Sequence, residues 1–271
     1  MVLTMSNILT ASTAAPSKVN GITINTSLLS THNCNISASR AVKYIVIHYT
    51  GNKGPDTARA NAQYFRATST KASAHYCVDN TSVYQCIDLK NTAWHCGTSG
   101  NYYHKDCRNV NSIGIEMCCT AGNYKVSEIT IENAAVLTAA LCKIVGIETS
   151  EVGVYVLRHY DVTHKTCPAQ MSGARNAAWT AFLAQVVSVL SGTDDTNTED
   201  STVATEVTLK AIPYMVRVTA KLNVRKGPGT KYSVVRTVKK GDSYTIVEEQ
   251  NGWGKLKSGV GWIRLSYTEK V

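Results

Sequence analysis

The sequence has no run of about 18 apolar residues, which excludes a transmembrane helix. Its first residues, Met1-Val-Leu-Thr-Met-Ser-Asn-Ile-Leu-Thr, lack the basic start and strong apolar centre of an export signal, so none is expected. No Cys-x-x-Cys pair occurs, and the nine cysteines are an odd number that all precede residue 168. A disulfide framework favours an even count in a small secreted domain, so most thiols should be reduced and buried as small hydrophobes, with a bridge such as Cys86–Cys96 left open. Residues 191–206 contain no base, only five acids: Asp194, Asp195, Glu199, Asp200 and Glu206. Residues 207–271, by contrast, hold 13 bases and four acids, a net +9. So basic a segment favours polyanions such as nucleic acid, anionic membrane or wall polymers, or else simply keeps the surface soluble.

The order of patterns divides the chain. A β-branched run at 43–49 reads as a buried strand, and Asp56 is placed to cap a helix through about residue 66. Strands are expected at 74–78 and 83–87 around an Asn80-Thr-Ser turn, and again at 112–118. Ser127 should cap a helix ended by Gly146, and a strand at 154–157 and a helix at 174–190 follow. Strands and helices interleaved in this way predict an α/β domain, a mixed central sheet flanked by helices, over residues 21–190. Residues 1–20 are expected to be a flexible arm. Residues 191–211 carry almost nothing to bury and read as an acidic linker. Residues 212–271 then show only short strands between Gly and Pro turns, the pattern of a small all-β barrel.

The chemistry concentrates in three residues. His48 ends the strand Lys43-Tyr-Ile-Val-Ile-His48, and His159 and Cys167 lie in Arg158-His159-Tyr-Asp161-Val-Thr-His-Lys165-Thr-Cys167-Pro168. Two imidazoles and one thiolate suit a single Zn²⁺ with a fourth position open for water, the layout of a catalytic site. Asp161 is a candidate to orient the loop or a ligand. Glu116 is a lone carboxylate in an apolar strand, costly to bury and so a candidate general base. Lys165, one residue removed from Cys167, is a candidate to stabilise negative charge.

Five blocks, in order, resemble the zinc-dependent N-acetylmuramoyl-L-alanine amidases of the type-2 class, relatives of peptidoglycan-recognition proteins and phage lysozyme-amidases. They are Ile45-Val-Ile-His48-Tyr-Thr-Gly-Asn52, Ala72-Ser-Ala-His75-Tyr-Cys-Val-Asp79, Ala93-Trp94-His95-Cys-Gly97, Asn111-Ser-Ile-Gly-Ile-Glu116 and the stretch from His159 to Pro168. The resemblance implies zinc on His48, His159 and Cys167, with Glu116 as base and Lys165 as oxyanion stabiliser. It implies His75 and His95 as substrate-side groups or groups behind the ligands. The chain departs from the family in reading Cys167-Pro-Ala-Gln where relatives continue Cys-Pro-Gly, and in an insertion-like loop at 98–110.

Leu222-Asn-Val-Arg225-Lys-Gly-Pro-Gly229, Gly252-Trp253 and Gly261-Trp262-Ile-Arg264 resemble a bacterial SH3-type domain, which implies binding to wall polymers. Trp253, Trp262 and Arg225 are the candidate wall contacts, with barrel packing the competing reading for the two tryptophans. The expectation is a peptidoglycan amidase of the endolysin kind, held in the cytoplasm of an infected Gram-positive host until lysis and then acting at the wall. Its partner is peptidoglycan, and neither nucleic acid nor membrane insertion is expected. The rival readings are a non-catalytic peptidoglycan receptor, a nucleic-acid binder suggested by the basic tail, and a zinc endopeptidase acting on the stem peptide.

Overall fold

Two apolar runs, Tyr44–Tyr49 and Ser112–Met117, are buried along almost their whole length, as strands covered on both faces must be. They lie at the centre of a seven-stranded sheet in a computed structural model that describes residues 7–67, 69–192, 213–229, 232–250 and 253–271. The chain divides into two units, residues 1–193 and 194–271.

In chain order the first unit contains β1 (Asn7–Thr10), β2 (Lys18–Val19), β3 (Ile22–Asn25), β4 (Cys34–Asn35), β5 (Ser39–Val42), β6 (Tyr44–Tyr49), α1 (Ala58–Arg66), β7 (Tyr76–Val78), β8 (Val83–Gln85), β9 (Thr92–Ala93), β10 (Ser112–Met117), α2 (Glu128–Val145), α3 (Val152–Tyr155), β11 (Val156–Arg158), α4 (His159–Thr163) and α5 (Ala177–Leu190). The sheet order is β11-β6-β10-β7-β8-β3-β2. The β11/β6, β6/β10, β10/β7 and β3/β8 pairs are parallel, and β7/β8 and β2/β3 are antiparallel. This is the mixed sheet flanked by helices that the sequence predicts.

Ile45, Ile47, Ile113 and Ile115 point to the face that α2 and α5 cover, packing with Leu137, Leu141, Phe182 and Val186. Tyr44 and Val46 alternate to the other face, against Cys96, Cys107, Leu157 and Val162. Helix α2 starts and ends where its sequence signals stand. The Ser127 side chain accepts from the Thr130 N–H, a cap worth about 1 kcal/mol, and Gly146 closes the helix at φ 71°.

Several expectations need correction. Residues 7–20, expected as part of a loose arm, belong to the folded unit. β1 pairs antiparallel with β5, Leu9 is buried, and β2 extends the main sheet. Their apolar residues are too sparse to form a pattern, and only a partner strand gives them a buried face. Thr57, not Asp56, caps α1, and Asp56 instead accepts from Asn61 at 2.8 Å. The segment expected as a strand at 154–157 is divided between α3 and β11. All nine cysteines are free thiols, and Cys86 faces Cys77 at 3.6 Å rather than Cys96. Residues 1–6 of the expected arm and 193–211 of the expected linker lie outside the described residues.

The second unit is all-β, as expected. Its strands are β12 (Tyr214–Val218), β13 (Leu222–Arg225), β14 (Val234–Val238), β15 (Ser243–Gln250), β16 (Trp253–Leu256), β17 (Trp262–Arg264) and β18 (Thr268–Lys270), in the order β14-β13-β17-β16-β15-β12-β18. Val216, Val218, Val224, Ile246, Leu256 and Ile263 form its core. Gly261 is required by close approach, since a Cβ there would lie 2.3 Å from the Arg225 carbonyl oxygen.

Candidate metal centre

Three adjacent parallel strands deliver the site from their carboxyl ends, where open α/β sheets characteristically place ligand-binding groups. His48 is the penultimate residue of β6, and Glu116 lies directly opposite it on β10. Arg158 of β11 pairs with Ile47, so His159 follows beside His48. Residues in register on parallel strands project to the same face, which puts the His48 and Glu116 side chains on one side of the sheet about 5 Å apart at the backbone. Cys167 then returns through a loop fixed by the Tyr160 N–H, which donates to the Cys167 carbonyl at 2.9 Å.

The ligand atoms of His48, His159 and Cys167 all lie within 4.8 Å of one another, and all three residues are buried. Cys167 Sγ is 3.8 Å from His48 Nδ1. The His159 ring is held through the Gly97 backbone, while its Nε2 is buried without a hydrogen-bond partner. An orphaned imidazole nitrogen beside a thiol and a second imidazole is the donor set of a metal site, and this residue set fits a metal ion.

Burial dominates the electrostatics. It pushes His159 down to about 4 and His48 well below the usual imidazole range, with neighbouring positive groups adding to each shift. Both rings are therefore neutral at pH 7, the form that ligates. Burial pushes the Cys167 thiol up to about 12, opposed in part by the Tyr49 backbone hydrogen bond and the charge of Lys165. A bound cation would favour the thiolate. Burial also raises Glu116 to about 7, against the lowering effect of Lys165, and Glu116 Oε2 is buried without a partner. Lys165 itself is exposed at the rim, and its charge reaches His48, His159, Glu116 and Cys167.

The remaining candidates divide. Asp161 does not face the ligands. Its carboxylate accepts from the Arg158 N–H at 2.8 Å, Nε at 2.9 Å and Nη2 at 2.6 Å, and Arg158 in turn reaches the Gly173 carbonyl at 2.9 Å. It therefore starts α4 and anchors the loop after Cys167. His75 is fully buried rather than substrate-side: its Nδ1 accepts from the Gly114 N–H at 3.0 Å, and its Nε2 is 3.1 Å from the Asn91 carbonyl oxygen. His95 is buried between His48 and His75, with Nδ1 3.0 Å from His48 Nε2.

Sequence reasoning missed Arg40. It is 6% exposed, and among the described residues no carboxylate is within ion-pair distance of it, although the charge of Asp88 acts on it from further away. It donates instead to the carbonyls of Leu89 at 2.7 Å and Ser112 at 2.8 Å, and its Nη2 lies 2.9 Å from His75 Nε2. Ser39-Arg-Ala-Val42 shows no polar–apolar alternation, and only its pairing as a strand turns Arg40 inward. The insertion-like loop at 98–110 lies over α4. The Tyr103 N–H donates to the Val162 carbonyl at 2.9 Å, and the Tyr103 ring stacks on His164 at 3.6 Å.

In the second unit Trp253 and Trp262 are 4% and 7% exposed, so they are barrel residues rather than open platforms. The Lys255 ammonium lies 5.6 Å from the Trp262 ring centre, and Arg225 Nη1 donates to the Tyr232 carbonyl at 2.9 Å.

Fold and site together define an α/β domain with a buried two-histidine, one-cysteine centre at the strand ends, followed in the chain by a small β-barrel domain. Residues 38–170 match the amidase-2 family, described as N-acetylmuramoyl-L-alanine amidase, and residues 220–269 match the bacterial SH3 domain; both domains are present in this chain. The chain is 36% identical over 169 residues to the N-acetylmuramoyl-L-alanine amidase CwlL of Bacillus licheniformis, a match covering 59% of this chain and 45% of that protein. It thus spans less than half of that relative's length. A mutant endolysin from Bacillus subtilis superposes with a TM-score of 0.50 at 26% identity, covering 61% of this chain and 99% of that one. The PlyG catalytic domain superposes with a TM-score of 0.51 at 24% identity, covering 62% and 96%, a likeness of fold. No single helix among the described residues is long and apolar enough to cross a membrane.

Proposed function

We propose that this chain is a zinc-dependent peptidoglycan hydrolase that cleaves the amide between the lactyl group of N-acetylmuramic acid and L-alanine. The observation that carries the reading is the convergence of His48, His159 and Cys167 on one buried point, beside Glu116, within a domain of the amidase-2 family. Two nitrogens and one sulfur suit zinc better than harder cations, and three protein ligands leave a position open. When bound, zinc supplies Lewis-acid polarisation of the amide carbonyl and of the attacking water.

The side chains supply the rest. Glu116, held near neutrality by burial, takes the proton of the attacking water and returns it to the leaving amine nitrogen of L-alanine. Lys165, at the rim, places a positive charge where the carbonyl oxygen gains a negative one. Arg158 and Asp161 keep the Cys167 loop in place throughout. The basic SH3 domain, joined through residues 191–211, holds the hydrolase on the wall and raises its local substrate concentration. As an endolysin, the protein would act from the cytoplasmic side of an infected Gram-positive cell at lysis.

The test is mass spectrometry of Gram-positive peptidoglycan after digestion, with a chelated control. Peptides bearing a free L-alanine amino terminus, absent after chelation, are the expected products. Cleavage inside the stem peptide would replace the amidase with an endopeptidase. Zinc and wall binding with no product would leave a receptor.

A further inference from the structure

The insertion-like loop at 98–110 has a neck, residues 95–97 on one side and 108–112 on the other, that touches both histidine ligands. Asn109 Oδ1 fastens this neck by accepting from the backbone N–H of His95 at 3.0 Å and of Cys96 at 2.6 Å. From it His95 reaches His48, and the Gly97 backbone reaches the His159 ring.

The protons along this neck can be placed by elimination. Ser112 Oγ lies 2.6 Å from the Arg108 carbonyl oxygen, which can only accept, so the single hydroxyl proton of Ser112 is committed there. Ser112 Oγ must then act as acceptor toward His95 Nε2, 3.3 Å away. His95 is buried, has no carboxylate among its partners and carries one ring proton; with that proton on Nε2, its Nδ1 is bare. Cys96 Sγ lies 3.2 Å from the same Nδ1, but a thiol is the weaker donor and it has a second partner in Ser112 Oγ at 3.8 Å, so the single lone pair of Nδ1 is left to His48. The 3.0 Å contact between His95 Nδ1 and His48 Nε2 therefore needs its proton from His48. A neutral His48 protonated on Nε2 has a bare Nδ1, and that nitrogen is the one 3.8 Å from Cys167 Sγ.

We infer that His95 is the positioning residue of the metal centre: it accepts the Nε2 proton of His48 and so fixes the tautomer and ring direction in which His48 offers Nδ1 to the metal. The inference rests on the metal-centre reading above. Gly114 is part of the device. It stands two residues before Glu116 on the same strand face, and a Cβ there would lie 2.6 Å from His95 Cγ, so only glycine lets the ring lie against β10. A ligating histidine commonly gives its other ring proton to an acceptor, and loss of that acceptor typically costs 10–100-fold in metal affinity.

The experiment measures the zinc dissociation constant of the full chain by chelator competition, for the natural protein and for His95→Leu, His95→Asn and Gly114→Ala. The asparagine Oδ1 takes the place of Nδ1 and can still accept. The expected result is a loss of about 10–100-fold for His95→Leu, a loss in the same direction for Gly114→Ala, and recovery toward the natural value for His95→Asn. Ring ¹⁵N spectra of the metal-free natural protein, which need no variant to fold, should show His48 protonated on Nε2. An Nδ1-protonated His48, or an unchanged zinc affinity in a folded His95→Leu, overturns the inference. A second zinc equivalent lost in Cys96→Ala would make His95 a ligand and also overturn it. If the natural chain binds no zinc, the metal-centre reading itself fails, an outcome distinct from the others.

Discussion

Replacing Glu116 with glutamine should make the metal-free protein more stable while removing most of its turnover. In the folded chain burial raises Glu116 to about 7 from an ordinary 4.5. A raised carboxyl pKa means that the folded state binds the proton more tightly than the unfolded chain does. The contribution of Glu116 to stability is therefore fully present below about pH 4.5 and is lost as the pH rises to about 7, where the buried carboxylate must form. The gap is roughly 2.5 pH units, or about 3 kcal/mol at 1.36 kcal/mol per unit. Glutamine keeps the shape and never ionises, so the variant should lack this slope. Urea denaturation of both metal-free proteins at pH 5 and pH 8 should show little difference at the lower pH, and Glu116→Gln more stable by up to about 3 kcal/mol at the higher. Turnover should fall by about 10²–10⁴, the usual contribution of a general base, and the rise of kcat/KM with pH through the Glu116 ionisation should vanish. Parallel pH-stability curves for the two proteins would refute the raised pKa. Near-normal turnover in a zinc-loaded Glu116→Gln would remove the residue from the reaction.

Cys167→Ser should weaken zinc binding because a hydroxyl replaces a thiolate; unchanged metal content after dialysis would show that Cys167 is not a ligand. Asp161→Ala should destabilise the first unit by about 3 kcal/mol, since it leaves the buried Arg158 guanidinium without its carboxylate, and a loss below about 1 kcal/mol in urea would contradict that role. Residues 211–271 alone should pellet with Gram-positive cell walls and be released as salt rises. Retention in the supernatant at low salt would remove the anchoring role. Gly261→Ala should unfold or strongly destabilise the barrel, read by thermal denaturation, because its Cβ has no space beside the Arg225 carbonyl.

Local chemistry made much of this molecule legible from sequence. Ser127 and Gly146 mark the ends of α2 because capping depends on a few adjacent residues. The runs 43–49 and 112–118 announce central strands because both faces of such strands are apolar. His48 and Glu116 stand out because polar residues near the ends of apolar strands need a reason to be there, and His159 and Cys167 because two metal-ligand types recur closely in one short block. The N-terminal strands were not legible, since β1 and β2 acquire a buried face only from partners elsewhere in the chain. Trp253 and Trp262 could be platforms or packing by composition, and only the folded all-β unit buries them.

The same division holds at the metal centre. Residue types and spacing determined which atoms could bind a cation and which carboxylate could move a proton, because ligand chemistry belongs to the side chain itself. Tertiary structure alone decided that Glu116 stands in register with His48, that Arg40 is buried among carbonyls, and that His95 lies within hydrogen-bonding distance of His48. Those relations join residues 47 to 72 positions apart, and no local pattern encodes the register of parallel strands that brings them together.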